Sequence, residues 1–422
     1  VTRVLTAGGF AEEQVRARAR DGAAAAFPRR EDYGRRLFGA EGTPRAGRPG
    51  DALESLRLVP PVFVPQRLEK LIELAREPHY GDVDLATTVG GFRSTAPLYV
   101  SAFGSTQVAA SGLGTAVSRQ AGRLGIPMVV GENIVPTVGY RGSDGESGML
   151  ARLSAYESEV PDGFGGVTFQ QSTEDADAEV WNLLYSAPSA QKLLDSGRLA
   201  FELKVGQGAK PGLGGMTVVD TASAVRLAEH YTTDDVYGDG RHVLRSSSPG
   251  TFTEEILRQQ IRLMRNNYPR ARVWVKLPPG RDVRRAAAVA WEAGADAVTV
   301  DGAEGGSGWA PLSFLDHVGL PLGECLQRMR AWEERHCLLV SGRMWEGGRV
   351  ARSLALGARA AGLGRAALLA VDENPDDGLD RLVSCLLLEL RLLISALGKY
   401  APGALGPEDV WAPDGTGTTP AH

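Results

Sequence analysis

Residues 201–216 read FELKVGQGAKPGLGGM and set ionisable side chains beside the chain's most pliant backbone. Phe201, Leu203 and Val205 alternate with Glu202, Lys204 and Gly206, which is the period of a strand. The strand breaks into a loop with five glycines and one proline. Lys204 leads into that loop, and Gln207 and Lys210 sit within it. Glycine turns at strand ends present backbone N–H groups, and nearby lysines add charge, so the stretch suits an anion or a polarised carbonyl. Taken alone it also suits an ordinary turn with solvated lysines.

Comparable positions recur along the chain. Ser101, Ala102 and Phe103 end one apolar run, and Gly131 and Glu132 end the next. Lys276 lies inside RVWVKL, with Val275 and Leu277 on the opposite face. An inward lysine is costly unless it meets an anion or an electron-rich ligand. Asp301 opens DGAEGGSG, which carries Gly305, Gly306 and Ser307. Ser341, Gly342 and Arg343 follow a later run, and Gly362, Gly364 and Arg365 the last.

Positioning these groups takes a repeating scaffold. Short β-rich runs occur at 98–103, 128–132, 201–205, 242–246, 272–277, 297–301, 337–341 and 360–364, with a hairpin expected at 165–171. Helical periodicity falls at 114–124, 222–230, 253–266, 283–293, 322–334 and 349–356. Alternating βα units imply a parallel sheet with right-handed crossovers, and eight of them fit an α/β (β/α)₈ TIM barrel with an N-terminal extension and insertions. A doubly wound sheet would want a glycine fingerprint after its first strand, and none is present. The organisation expected is an extension over 1–60, a barrel with a C-terminal helix over 61–412, and a tail over 413–422. In such a barrel the chemistry lies at the strand C-termini, and glycine turns after the last strands form a phosphate site.

Composition narrows the classes. The net charge of -5 offers no broad attraction to nucleic acid. Three cysteines, Cys325, Cys337 and Cys385, are too few and scattered for a disulfide framework or a four-cysteine metal site, so no metal is expected and a reducing cytoplasm fits. The first residues lack the apolar core of a signal peptide. The apolar stretch at 379–397 is broken by Arg381, Glu389 and Arg391 and reads as a packed helix rather than a membrane span.

QGAKPGLGG at 207–215 resembles the signature of the FMN-binding synthase domain of glutamate synthase. SAFGS at 101–105, GEN at 131–133, VKL at 275–277, GAEGGSG at 302–308 and GLGRAALLA at 362–370 follow the same family's order. ALGKYAPGALGPEDV at 396–410 resembles the end of its short members, and the likeness runs over residues 60–412. The resemblance implies a barrel holding FMN at the strand C-termini. Lys210 would bind a substrate carboxylate or keto oxygen, Glu132 would sit beside the substrate, and Lys276 would stabilise charge on the reduced flavin. Gly305, Gly306, Ser307, Gly342, Arg343, Gly364 and Arg365 would hold the phosphate. Ser101, Ala102, Phe103, Gly131, Lys204, Gln207, Ser341 and Gly362 complete the implied cofactor set. Gln207, Met216 and Arg245 are the implied substrate contacts.

Departures from the family pattern shape the expected activity. Met216 stands where the family has a substrate-contacting glutamine, Ser341 where it has an aspartate, and Asn133 where it has a glycine. RSSSP at 245–249 replaces a proline- and histidine-rich turn. AVDENPDDGL at 370–379 runs where a three-cysteine iron–sulfur segment belongs, and no glutaminase domain is expected. The reading is an FMN-dependent oxidoreductase of an amino acid, imino acid or 2-oxo acid, in specialised metabolism, rather than glutamate synthase itself. Its partner is a small-molecule substrate; a homo-oligomer is compatible, and the electron donor or acceptor is left open. Two alternatives stand: redox-neutral or oxygen-dependent FMN chemistry on an unrelated small molecule, and a barrel subunit without turnover. Plainer roles also stand for single residues. Glu132 suits a helix cap, Cys325 and Cys337 suit the core, Trp309 suits packing, and His317 suits either packing or the site.

Overall fold

The computed structural model describes residues 5–26, 51–103, 112–132, 134, 148–171, 176, 179–211, 217–221, 224, 225, 228, 232–235, 240–246, 252–306, 312–329 and 336–413. Met216, Ser307, Trp309, Asn133 and most of the helix expected at 222–230 lie outside them.

Eight parallel strands close into a barrel in chain order: β1 (Leu98–Phe103), β2 (Met128–Val130), β3 (Val167–Gln170), β4 (Leu199–Lys204), β5 (Arg272–Leu277), β6 (Ala297–Asp301), β7 (Leu338–Ser341) and β8 (Ala360–Leu363). β5 pairs with β4 on one side and β6 on the other, with Lys276 opposite Lys204 and Thr299.

Two expected elements are corrected. The stretch at 165–171 is no hairpin: Val167–Gln170 is the third barrel strand, paired in parallel with both neighbours. The glycines before it mimic a turn but serve close packing. A Cβ on Gly165 would lie 2.0 Å from the Tyr156 hydroxyl, and one on Gly166 2.5 Å from the Phe92 ring. The run at 242–246 is no barrel strand. His242–Ser246 is the centre of a separate antiparallel sheet with Thr217–Asp220 and Thr232–Asp234. A barrel strand needs both faces covered, whereas Val243 and Leu244 are only half-buried. The glycine loop after residue 205 therefore follows the fourth strand, not the third.

Alternation along the strands sorts two cores. Val273, Val275 and Leu277 of β5, with Val298 and Val300 of β6, face the helices. Tyr99, Val129, Ala200, Trp274, Ala297, Leu339 and Ala360 face inward as the barrel floor. The hairpin of Thr87–Val89 and Phe92–Ser94 closes that floor with Val89 and Phe92. Its Gly90 carbonyl accepts from Trp274 Nε1 at 3.0 Å. Above the floor the inward positions turn polar, with Gln170, Glu202 and Thr299, then Lys276, Asp301 and Ser341.

The N-terminal helix α1 (Glu12–Asp21) has Glu12 and Glu13 in its first turn and Arg18 and Arg20 in its last, matching the helix dipole. It packs on α2 (Arg365–Glu373) and α3 (Gly378–Ala396). Fully buried Arg16 reaches Asp372 at 3.0 Å and Glu373 at 3.1 Å. Arg18 takes both carboxylate oxygens of Glu389, at 2.8 and 2.7 Å. The α3 stretch is a packed helix, and among the described residues no helix is long and apolar enough to cross a membrane.

Candidate functional site

A cavity of about 440 Å³ opens at the C-terminal ends of the strands. It brings together Ser101, Ala102 and Phe103 from β1, Gln207 from the loop after β4, and Lys276 from β5. Gly305 and Gly306, Ser341 with Gly342 and Arg343, and Gly362, Gly364 and Arg365 complete the wall. Five further lining residues were not singled out as site residues: Phe10, Asp301, Leu315, Met344 and Leu368. Asp301 carried a legible signal, as a carboxylate at the C-terminal end of a barrel strand. His317 is exposed, and Leu315 two residues earlier faces the cavity instead.

The base of the cavity is a buried charge ladder. Lys276, only 4 % exposed, lies 3.2 Å from Asp301. Burial acts to discharge its ammonium, but Asp301 and Glu202 outweigh burial and the Lys276 pKa is raised. Asp301 also accepts from Ser341 Oγ and from the Gly208 N–H, the latter at 3.2 Å, which ties the loop after β4 to β6 and β7. One level down, Glu202 accepts from Gln170 at 2.6 Å and Thr299 at 3.1 Å. Burial lifts its pKa despite Lys276 and both hydrogen bonds.

Beside the cavity stands a second group. Lys204 Nζ pairs with Glu132, near the buried Gly131 that follows β2. Lys210 is the cross-strand partner of Gln207 in the small hairpin of Gly206–Gln207 and Lys210–Pro211. Gln207 thus joins this group to the cavity. Burial lowers the Lys210 pKa to about 8; neighbouring Lys204 and Arg245 add to the drop and Glu132 opposes it. Glu132, Lys204, Lys210 and Arg245 do not themselves line the cavity.

The opposite end carries two guanidinium groups. Arg343 sits in the left-handed region at φ 54°, a conformation that non-glycine residues adopt rarely and often at functional turns. It donates to the Gly9 carbonyl at 2.8 Å and lies 3.3 Å from Glu54 without hydrogen-bond alignment at Nε. Arg365 donates to the main-chain carbonyl of Glu304, and its guanidinium lies 4.6 Å above the Phe10 ring. Burial lowers the Arg365 pKa, and Arg343 adds to the drop. Arg349 braces the two adjoining glycine turns. It donates to the Gly342 carbonyl at 2.9 Å while its other end holds the carboxylates of Glu304 and Asp51. Burial and the neighbouring Asp51 push Glu304 up to about 7.

This end suits a phosphate. A Cβ on Gly306 would meet nothing within 4 Å, and one on Gly364 only Ser101 at 4.0 Å, so both glycines border open space. Gly364 caps the N-terminus of α2, where unpaired N–H groups favour an anion. Each arginine donates to a neutral main-chain carbonyl, and Arg343 also has the Glu54 carboxylate 3.3 Å from its Nε. Gly362 has a different reason for being glycine, because a Cβ there would lie 2.5 Å from the Tyr99 ring.

Cys325 and Cys385 are buried, and Cys337 accepts from the Gly90 N–H at 3.2 Å. Burial raises the three thiols to about 12, 11 and 11 for Cys325, Cys337 and Cys385. Among the described residues no group of three His, Cys, Asp or Glu is placed to hold a metal.

Residues 145–373 match the family described as the conserved region in glutamate synthase. An archaeal-type glutamate synthase [NADPH] of Dehalococcoides mccartyi is 35% identical over 187 residues, which is 42% of this chain and 36% of that protein. A glutamate synthase large subunit-like protein of Rhizobium meliloti is 33% identical over 181 residues, covering 42% and 40%. The chain thus spans well under half the length of these relatives. Among solved structures, a soluble mutant of (S)-mandelate dehydrogenase from Pseudomonas putida superposes with a TM-score of 0.54 at 18% identity, covering 96% of this chain and 100% of that one. The flavin-binding domain of baker's yeast flavocytochrome b2 gives 0.55 at 18% identity, covering 86% and 77%. At such identities the structural likeness speaks for the fold, a closed (β/α)₈ barrel. The sequence match extends over more than half of the chain, so this protein belongs to the family of the conserved region in glutamate synthase.

Proposed function

We propose that the chain is an FMN-dependent oxidoreductase that acts on a small amino acid, imino acid or 2-oxo acid. One juxtaposition carries the reading. A cavity with two arginines and open glycine turns at one end and a buried lysine at its base adjoins a cluster of three cations and a glutamate. FMN, if bound there, supplies two-electron redox chemistry. Gly305, Gly306, Gly364, Arg343 and Arg365 hold its phosphate. Lys276 sets a fixed positive charge at the base, and Asp301 keeps that lysine protonated and aimed.

The substrate end follows from the second cluster. Lys210 keeps its proton below a pKa of about 8, so at neutral pH its Nζ offers charge-assisted hydrogen bonds to a carboxylate or keto oxygen. Arg245 adds a second positive group, and Glu132 steadies Lys204 and balances the cluster. Gln207 spans from this cluster to the cavity. A compact monocarboxylate with an amino, imino or oxo group at the α-carbon fits that charge pattern.

A flavin absorbance titration tests this. FMN-loaded protein is titrated with a panel of amino acids and 2-oxo acids at pH 7. Saturable spectral shifts should appear with panel members and require about tenfold to hundredfold more ligand in Lys210→Ala. A protein that holds FMN yet responds to none of the panel would exclude this substrate class.

A further inference from the structure

We infer that residues 5–21 form the outer wall of the cofactor site at its phosphate end, and that Phe10 closes the site to anything longer than a mononucleotide. The inference rests on the FMN reading above. Phe10 lines the cavity although it precedes the arginines there by most of the chain. The turn that presents it is built for the purpose. Gly9 sits at φ +74°, a conformation glycine adopts without strain, and Phe10 N–H bonds back to the Ala7 carbonyl at 3.0 Å. That geometry turns the Gly9 carbonyl toward Arg343 and the Phe10 ring under Arg365.

The wall is fixed, not draped. Glu12 accepts from the Ala7 N–H at 2.8 Å and from Arg16 Nε at 2.9 Å. Arg16 also donates to the Leu5 carbonyl at 2.7 Å, so both sides of the turn are tied to one buried guanidinium. That guanidinium is bound in turn to the C-terminal end of α2, whose N-terminal end carries Gly364 and Arg365. The helix and the turn therefore clasp the phosphate end from two sides.

The choice of partners makes the wall useful. An aromatic face orients Arg365 and a main-chain carbonyl orients Arg343, whose only nearby carboxylate among the described residues is Glu54 at 3.3 Å. The carboxylate of Glu304, which could have quenched Arg365, is held by Arg349 instead. Two half-buried guanidinium groups, with Glu54 near one of them, then face the cavity where an anion would sit. The Phe10 ring lines the cavity beside Arg365, so a ligand extended past a phosphate held there would meet it. FAD is FMN extended from this phosphate, and a cavity of about 440 Å³ lies in the lower half of ordinary ligand pockets.

The test is equilibrium binding of riboflavin, FMN and FAD to the apoprotein, read by flavin fluorescence. Wild type should favour FMN over both others. Phe10→Ala should weaken FMN about tenfold, leave riboflavin nearly unchanged and shrink the preference against FAD. Phe10→Leu retains apolar bulk should the alanine variant fold poorly. It should keep FAD excluded while still losing part of the FMN affinity that depends on the ring. If wild type binds FMN and both variants bind all three flavins as wild type does, the wall is wrong and the FMN reading survives. If wild type binds no flavin, the FMN reading falls and the wall falls with it.

Discussion

Replacing Lys276 by methionine isolates the buried charge at the base of the cavity. Methionine is adaptable and fills most of the stem's volume, so the change is mainly electrostatic. Lys276 and Asp301 lie 3.2 Å apart and are both nearly fully buried. At an effective dielectric of ~20 their attraction is about 5 kcal/mol, within the range for breaking a buried pair by removing one partner. The sign follows from linkage. The Lys276 pKa is raised in the folded protein, so the stability the pair contributes is fully present below the ordinary lysine pKa and is lost only as pH rises through the raised value. Urea unfolding of the apoprotein at pH 7 should therefore show Lys276→Met less stable than wild type by about 3–5 kcal/mol, a difference that shrinks only as pH rises through the raised Lys276 value. A loss below about 1 kcal/mol at pH 7 would refute the buried pair.

Gly306→Leu should fold as well as wild type, because a Cβ there meets no protein atom within 4 Å, yet abolish FMN binding by filling the cradle; undiminished FMN affinity would place the phosphate elsewhere. Lys210→Ala should weaken a bound substrate carboxylate by about tenfold to hundredfold, the worth of a charge-assisted hydrogen bond of ~1.5–3 kcal/mol, and leave FMN binding unchanged. The lowered Lys210 pKa of about 8 predicts carboxylate affinity that is flat below that pH and falls above it as the ammonium is lost, a dependence the alanine variant should lack. Anaerobically purified protein should contain no stoichiometric iron or acid-labile sulfide, and iron that persists in Cys385→Ser would overturn that expectation.

Lys276 was legible from sequence because a strand alternates with period two, and the valine and leucine around it left only one face for the ammonium. The same rule exposes Asp301 at the end of β6, yet its pairing with Lys276 needs the barrel's closure, which brings adjacent strands into register. Glycine misled at Gly165 and Gly166, where close approach of Tyr156 and Phe92, with φ +69° at Gly165, calls for glycine at the entry to a barrel strand and not at a hairpin tip. β-branched content misled at residues 242–246, because propensity says nothing about which sheet covers the strand. The glycine turns at 302–306, 342–343 and 362–365 were readable in order. Their brace, Arg349, was not, since its partners Asp51 and Glu304 are brought together only by the fold. Phe10 gave no local signal at all. Its neighbour Gly9 meets Arg343 from 334 positions away, and no periodicity marks such a contact.

The cavity's assignment is tested most directly by the flavin content of the purified protein after reconstitution. Visible absorbance, followed by chromatography of the released chromophore, should give one FMN per chain and no FAD. A colourless protein that takes up no FMN at saturating concentration would contradict the assignment of the two arginines and the glycine turns to a phosphate.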